Sequence, residues 1–111
     1  MDAVLDMDTA LERLEGDHDL LRELVQLFLE EVPDLTRTIH GAVEQRQAKA
    51  LQQAAHSLKG AAANLSATAV AESAKRLEHM GRDNDFSQAP EALAALQTNL
   101  ERLAEVLTTI A

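Results

Sequence analysis

The sequence predicts an all-α fold, an antiparallel four-helix bundle with a short additional N-terminal helix, on three observations. Apolar residues recur at steps of three and four through most of the 111 residues, the period of a helix with one buried face. Gly and Pro are few, and Gly16, Gly81 and Pro90 fall where helices would begin or end. Hydrophobic residues make up 46% of the chain but aromatics only 2%, so the core is built from Leu, Ala and Val, which suit closely packed helices. The length fits one domain spanning residues 1–111, with a single modest core.

The elements follow in order. Asp8 is placed to cap a short first helix carrying Leu11 and Leu14, which Gly16 stops. Asp17 caps a longer second helix through "HDLLRELVQLFLEE", with Leu21, Val25, Phe28, Val32, Leu35, Ile39 and Ala42 in phase on one face. Pro33 lies inside that pattern and removes a backbone donor; because the apolar phase survives it, a kink is expected rather than a break. A third helix runs from about Ala48 to Leu65 with a poorly marked start, and a fourth from about Thr68 to Met80, burying Val70, Ala74 and Leu77, with Gly81 as its stop. After the polar loop "RDNDFSQ", Pro90 opens a last helix with a seam of Leu93, Leu96, Leu100, Leu103, Leu107 and Ile110. Short connections between amphipathic helices of this length make neighbours antiparallel.

Composition narrows the function. The absence of cysteine excludes disulfides, thiolate catalysis and thiolate-bound metal centres. A net charge of −9 repels phosphate backbones and anionic lipid, so neither nucleic acid nor a membrane surface is an expected partner, whereas a basic docking face is. The N-terminal stretch "MDAVLDMDTAL" has no basic n-region and apolar h-region, and no apolar run approaches the roughly 18 residues of a spanning helix. A cytoplasmic location is expected. No unclaimed apolar face demands a dimer, so a monomer is expected too.

One stretch stands out, "QQAAHSLKGAAANL". The third helix buries Leu51, Ala55, Leu58, Ala62 and Leu65, and His56 lies about 160° from the centre of that stripe, facing water. Gly60 is roughly 40° from His56 and Ala63 about 20°, with Lys59 flanking the same surface and Gln52 and Gln53 one turn before. A solvated face usually carries long charged side chains. Here the imidazole is ringed by small residues, and a mid-helix glycine costs about 1 kcal/mol relative to Ala, which suggests that another surface must come close. A histidine with its ordinary pKa near about 6.5 is largely neutral at cytoplasmic pH, a competent nucleophile for a phosphoryl group, and Lys59 is placed to offset phosphoryl charge. A lone surface histidine is usually nothing more, the plain reading for His18, His40 and His79; it is the combination at His56 that marks a site.

At these residues the chain resembles the histidine-containing phosphotransfer (HPt) domains of bacterial multistep phosphorelays. "AHSLKGAAANL" matches their H-x-L-K-G signature followed by small residues, "ALERLEGDHDLLRELVQLFLEEVPDL" looks like the family's opening segment, and "AKRLEHMGR" like the helix after the active one. The resemblance covers nearly the whole chain. It implies that His56 accepts a phosphoryl group from a receiver-domain aspartyl phosphate and passes it to another receiver. It implies that Lys59 stabilises the phosphoryl oxygens, that Gly60 lets the receiver approach, and that Gln52, Gln53 and Ala63 lie in the docked surface. Docking in the family also uses the preceding helix, which makes Leu20 and Leu27, off the core stripe, candidates for the partner patch or else for packing under the N-terminal helix. Partners would be receiver domains of a hybrid sensor kinase or of response regulators. The domain would be a phosphocarrier with no cofactor of its own, the catalytic Asp and Mg²⁺ coming from the receiver. Two positions depart from the family's habit: Ser66 stands where Gly is frequent, and Gln47 where an Asp commonly begins the active helix.

The rivals are weaker. A ferritin-like metal bundle needs inward Glu-x-x-His pairs on two helices, and Glu15 to His18 is broken by Gly16 and Asp17. No phosphate-cradling loop, His-Glu-x-x-His or serine triad supports an autonomous enzyme. A phosphoacceptor domain of a chemotaxis-type histidine kinase, or a non-catalytic helical adaptor binding receivers, are the alternatives.

Overall fold

A computed structural model describes Leu5 and residues 7–110. Its helices are α1 (Met7–Arg13), α2 (His18–Glu44), α3 (Ala48–Asn64), α4 (Thr68–Asp83) and α5 (Ala89–Ile110). Helices α2 to α5 form the expected bundle, α3 packing most extensively on α4 and α2 closing against α5, while α1 lies against α2. The longest dimension, 41 Å, is that of α2, whose 27 residues span about 40 Å.

Asp17 caps α2 as its residue type predicts, its side chain accepting from the Leu20 amide at 3.0 Å. Asp17→Ala is expected to lower the unfolding free energy by about 1 kcal/mol, read as a shift of the urea midpoint at constant slope. Met7, not Asp8, begins α1, which places Asp8 in the first turn, where its charge favours the helix N-terminus. Helix α2 runs unbroken through Pro33, which sits on its exposed side where the carbonyl released four residues back is not sealed in the core. Helix α5 begins at Ala89, one residue before Pro90.

The expectation for Gly81 is overturned. Gly81 does not end α4; the helix continues to Asp83 and closes on Asn84 in the left-handed conformation (φ 52°). Gly81 is instead buried inside α4, where a Cβ would fall 2.6 Å from the Gln52 amide nitrogen and 2.7 Å from the Ala48 carbonyl oxygen. Backbone-to-backbone packing, not helix termination, is what requires glycine there.

The core is aliphatic apart from Phe28: Leu21, Val25, Ile39, Leu51, Leu58, Leu65, Val70, Leu77, Leu96, Leu103 and Leu107 are all but fully buried, and no polar or charged residue among those described is buried with them. Val32, Leu35, Leu93, Leu100 and Ile110 pack half-buried at its edge. Polar stitches stay peripheral. Asn99 of α5 donates to Ser73 Oγ of α4 at 2.7 Å, and Arg13 at the end of α1 donates to the Ala63 carbonyl of α3 at 2.8 Å.

Candidate functional site

Helix α3 buries Leu51, Ala55, Leu58 and Ala62, and that stripe fixes which way the rest of the helix looks. His56 points outward, its side chain 67% exposed. Gln53, Gly60 and Ala63 are exposed around it, and Gln52 and Lys59 are half-buried. A Cβ built on Gly60 meets nothing within 4 Å, so this glycine serves no contact inside the chain and leaves the surface beside the imidazole low.

The sequence reading missed one member of the site. Glu78, on α4, reaches across so that one carboxylate oxygen lies 2.6 Å from His56 Nδ1 and the other accepts from Lys59 Nζ at 2.6 Å. The signal was available in principle. In a helical hairpin, residues about equally far from the connection face each other, and His56 stands ten residues before Ser66 while Glu78 stands twelve after it. Glu78 also follows the buried Leu77, at the rim of the α4 core stripe, where a carboxylate can turn toward α3.

The carboxylate is mostly covered, with 14% of its side chain exposed. Its pKa is lowered from the ordinary 4.5, chiefly because Lys59 donates to it, with His56 adding in the same direction against the opposing effect of burial. A carboxyl held ionised in this way has no proton to give. A neutral ring at His56 must therefore donate Nδ1–H to Glu78, which leaves its lone pair on Nε2. Glu78 fixes both the ring orientation and the tautomer.

The sign of the shift sets a pH dependence. A carboxyl with a depressed folded-state pKa contributes stability above its unfolded value and loses it as pH falls through the folded one. The stability difference between the unaltered protein and Glu78→Gln is expected to be present above pH 4.5 and to close below it, followed by chemical denaturation across that range.

Leu20 and Leu27 are the exposed large hydrophobic residues among those described, at 37% and 51%. Leu27 borders a shallow depression with Leu24, Glu31, Ala61 and Asn64, between α2 and the last turns of α3. The apolar spots of α2 thus flank the helix that carries His56. Of the remaining histidines, His18 is exposed and His40 and His79 are half-buried. Among the described residues no group of three or more His, Asp or Glu side chains is arranged to hold a metal ion.

An exposed imidazole held through Nδ1 by a carboxylate, with a lysine one turn away on a four-helix support, leaves one ring nitrogen open to a docked partner. The Hpt domain profile matches residues 23–106, more than half of the chain, and the chain belongs to the Hpt domain family. Two solved structures share its fold. Histidine-containing phosphotransfer protein B (HptB) from Pseudomonas aeruginosa PAO1 superposes with a TM-score of 0.87 at 24% identity, over 96% of this chain and 92% of that one. The HPT domain of the Hpt sensor hybrid histidine kinase from Shewanella gives 0.85 at 16% identity, over 97% and 93%. No curated protein sequence matches the chain. The family membership makes this domain a phosphotransfer intermediate of a phosphorelay, a phosphocarrier rather than a catalyst in itself, and Hpt domains work with receiver domains. No described helix is long and apolar enough to cross a membrane.

Proposed function

We propose that His56 is the phosphoacceptor, taking a phosphoryl group on Nε2 from the aspartyl phosphate of one receiver domain and passing it to the aspartate of another. The observation that carries this reading is the bond from Nδ1 to Glu78, which leaves Nε2 as the free nitrogen on a largely exposed ring. In the forward step Nε2 attacks phosphorus, the P–O bond to the receiver carboxylate breaks, and that carboxylate leaves with its electron pair. Glu78 stabilises the positive charge that develops on the imidazole. Lys59 Nζ, half-buried beside the ring, neutralises part of the charge on the equatorial oxygens. Catalytic Asp and Mg²⁺ belong to the receiver, and the domain brings no cofactor of its own.

The docking surface in this reading surrounds His56 with Gln52, Gln53, Gly60 and Ala63 and extends over α2 through Leu20 and Leu27. Charge gives its chemistry. Residues 1–34 hold eleven Asp and Glu against two Arg, whereas the other residues hold eight acidic and eight basic side chains, so the whole net charge of −9 comes from the stretch leading into and along the first half of α2. Exposed leucines with Glu23, Glu30 and Glu31 about them suit a receiver surface with an apolar patch rimmed by Lys and Arg. The 111 residues act as one domain, a cytoplasmic monomer in this reading, with neither nucleic acid nor membrane as a partner.

The test is transfer from a phosphorylated receiver, with the product site located by mass spectrometry. Acid-labile, alkali-stable phosphate on His56 is the expected result. Label on another residue, or none across a panel of receivers, would overturn the assignment.

A further inference from the structure

The bond between Glu78 and His56 depends on how closely α4 approaches α3, and one residue sets that approach. Gly81 lies on α4 one turn beyond Glu78. The atoms that a Cβ there would meet are the Gln52 nitrogen at 2.6 Å, the Ala48 oxygen at 2.7 Å and the Gln52 Cα at 3.0 Å. All three belong to the backbone of the first turns of α3, and Gln52 is one turn before His56. Backbone atoms inside a helix cannot rotate aside as a side-chain tip can. Ordinary contact begins at 3.4 Å, so any side chain at 81 must separate the two helices locally by several tenths of an ångström.

The site one turn away has little room for such a displacement. Both carboxylate contacts of Glu78 are 2.6 Å long. Hydrogen bonds of this type weaken beyond about 3.2 Å, so a separation of the size that a Cβ demands uses up their range. A glycine inside a helix costs about 1 kcal/mol relative to alanine, and here it stands where no larger residue permits the approach.

We propose that Gly81 is a positioning residue for phosphoryl transfer: its missing side chain seats α4 on the first turns of α3 and so holds Glu78 within reach of His56 Nδ1 and Lys59 Nζ. The functional part rests on His56 being the phosphoacceptor. The geometric part does not, and the experiment reads the geometry directly.

Uniformly ¹⁵N-labelled intact protein, free of any phosphate donor, reports the tautomer of each histidine through long-range ¹H–¹⁵N correlations at a pH where the rings are neutral. His56 is expected in the Nδ1–H form in the unaltered protein. Gly81→Ala is expected to shift it toward the Nε2–H form to the extent that Glu78→Ala does, with His18, His40 and His79 unmoved and the double variant no different from either single one. Leu103→Ala, which truncates a buried leucine of α5 and alters neither α3 nor α4, controls for lost stability and is expected to keep the Nδ1–H signature. A folded Gly81→Ala protein that retains the Nδ1–H form would sink the proposal, as would loss of that form in Leu103→Ala. If Gly81→Ala does not fold, Glu78→Asp decides, since it shortens the reach by one methylene while leaving the helix approach alone. Retention of the Nδ1–H form in Glu78→Asp means that spacing does not limit the bond and overturns the proposal; its loss supports it. In transfer assays Gly81→Ala is expected to lower the rate at saturating receiver about as much as Glu78→Gln does, leaving the receiver concentration for half-maximal rate unchanged. If His56 proves not to be the phosphoacceptor, the tautomer results stand and only this kinetic arm fails.

Discussion

His56→Gln is expected to carry no acid-labile phosphate after incubation with a phosphorylated receiver, while its fold and urea midpoint stay close to those of the unaltered protein. The amide keeps much of the bulk and polarity of the ring but supplies no nucleophilic nitrogen. Its exposed position means that no cavity is left behind. Glu78→Gln is the graded companion. It keeps the shape but removes the negative charge that orients Nδ1–H and stabilises the developing imidazolium. A hydrogen bond to a charged group contributes about 1.5–3 kcal/mol, and the low end suits a ring this exposed, so transfer is expected to slow by about tenfold. Phosphate-affinity gels over a time course separate the two, with no product for His56→Gln and delayed product for Glu78→Gln. Full labelling of His56→Gln would place the phosphate on another residue.

The contrast between these two residues shows where sequence reasoning reached and where it stopped. His56, Lys59 and Gly60 were legible because they share one helix, and a single helical wheel fixes their relation to Leu51, Leu58 and Leu65. Glu78 was not, because its role exists only across two helices, at a register that no one-dimensional periodicity contains. Gly81 was misread for the same reason: a glycine near a helix end looks like a stop until the neighbouring backbone is known. The ends of α3 fall within a residue of where the apolar pattern places them, but the conformations that close its flanking turns had no signal. Arg46 and Ser66 take left-handed conformations, φ 53° and 57°, which for residues other than glycine are disfavoured by roughly 1–2 kcal/mol and have no sequence signature at these positions. Ser66 nonetheless supplies a turn that glycine would make at lower cost. The capped start of α2 and the leucine seam of α5 were legible for the opposite reason, since local hydrogen bonding and helical periodicity suffice.

Leu58→Ala carries the largest expected loss of stability. Leu58 is fully buried, two residues from His56 and on the opposite side of the same helix. Truncating a buried leucine costs about 2–5 kcal/mol, the spread reflecting how far the surroundings collapse into the cavity. Domains have only about 5–15 kcal/mol in total, so this variant is expected to sit near its unfolding transition at physiological temperature. Denaturation by urea should show a lowered midpoint with an unchanged slope. Labelling of the fraction that remains folded should proceed at the normal rate, because the face bearing His56, Lys59 and Glu78 is intact. An unfolding free energy within a few tenths of a kcal/mol of the unaltered protein's would mean that α3 is not anchored as its burial indicates.

The connections between helices have a kinetic consequence. They are four, three, three and five residues long, and each helix packs mainly on its neighbours in the chain. Loop closure is cheap over such distances, and topologies dominated by local contacts fold in about microseconds to milliseconds. The pairing of α3 with α4 spans one of the two three-residue links and forms the most extensive contact among the described helices. After a thermal opening, the imidazole and its carboxylate need only a local search to find each other again.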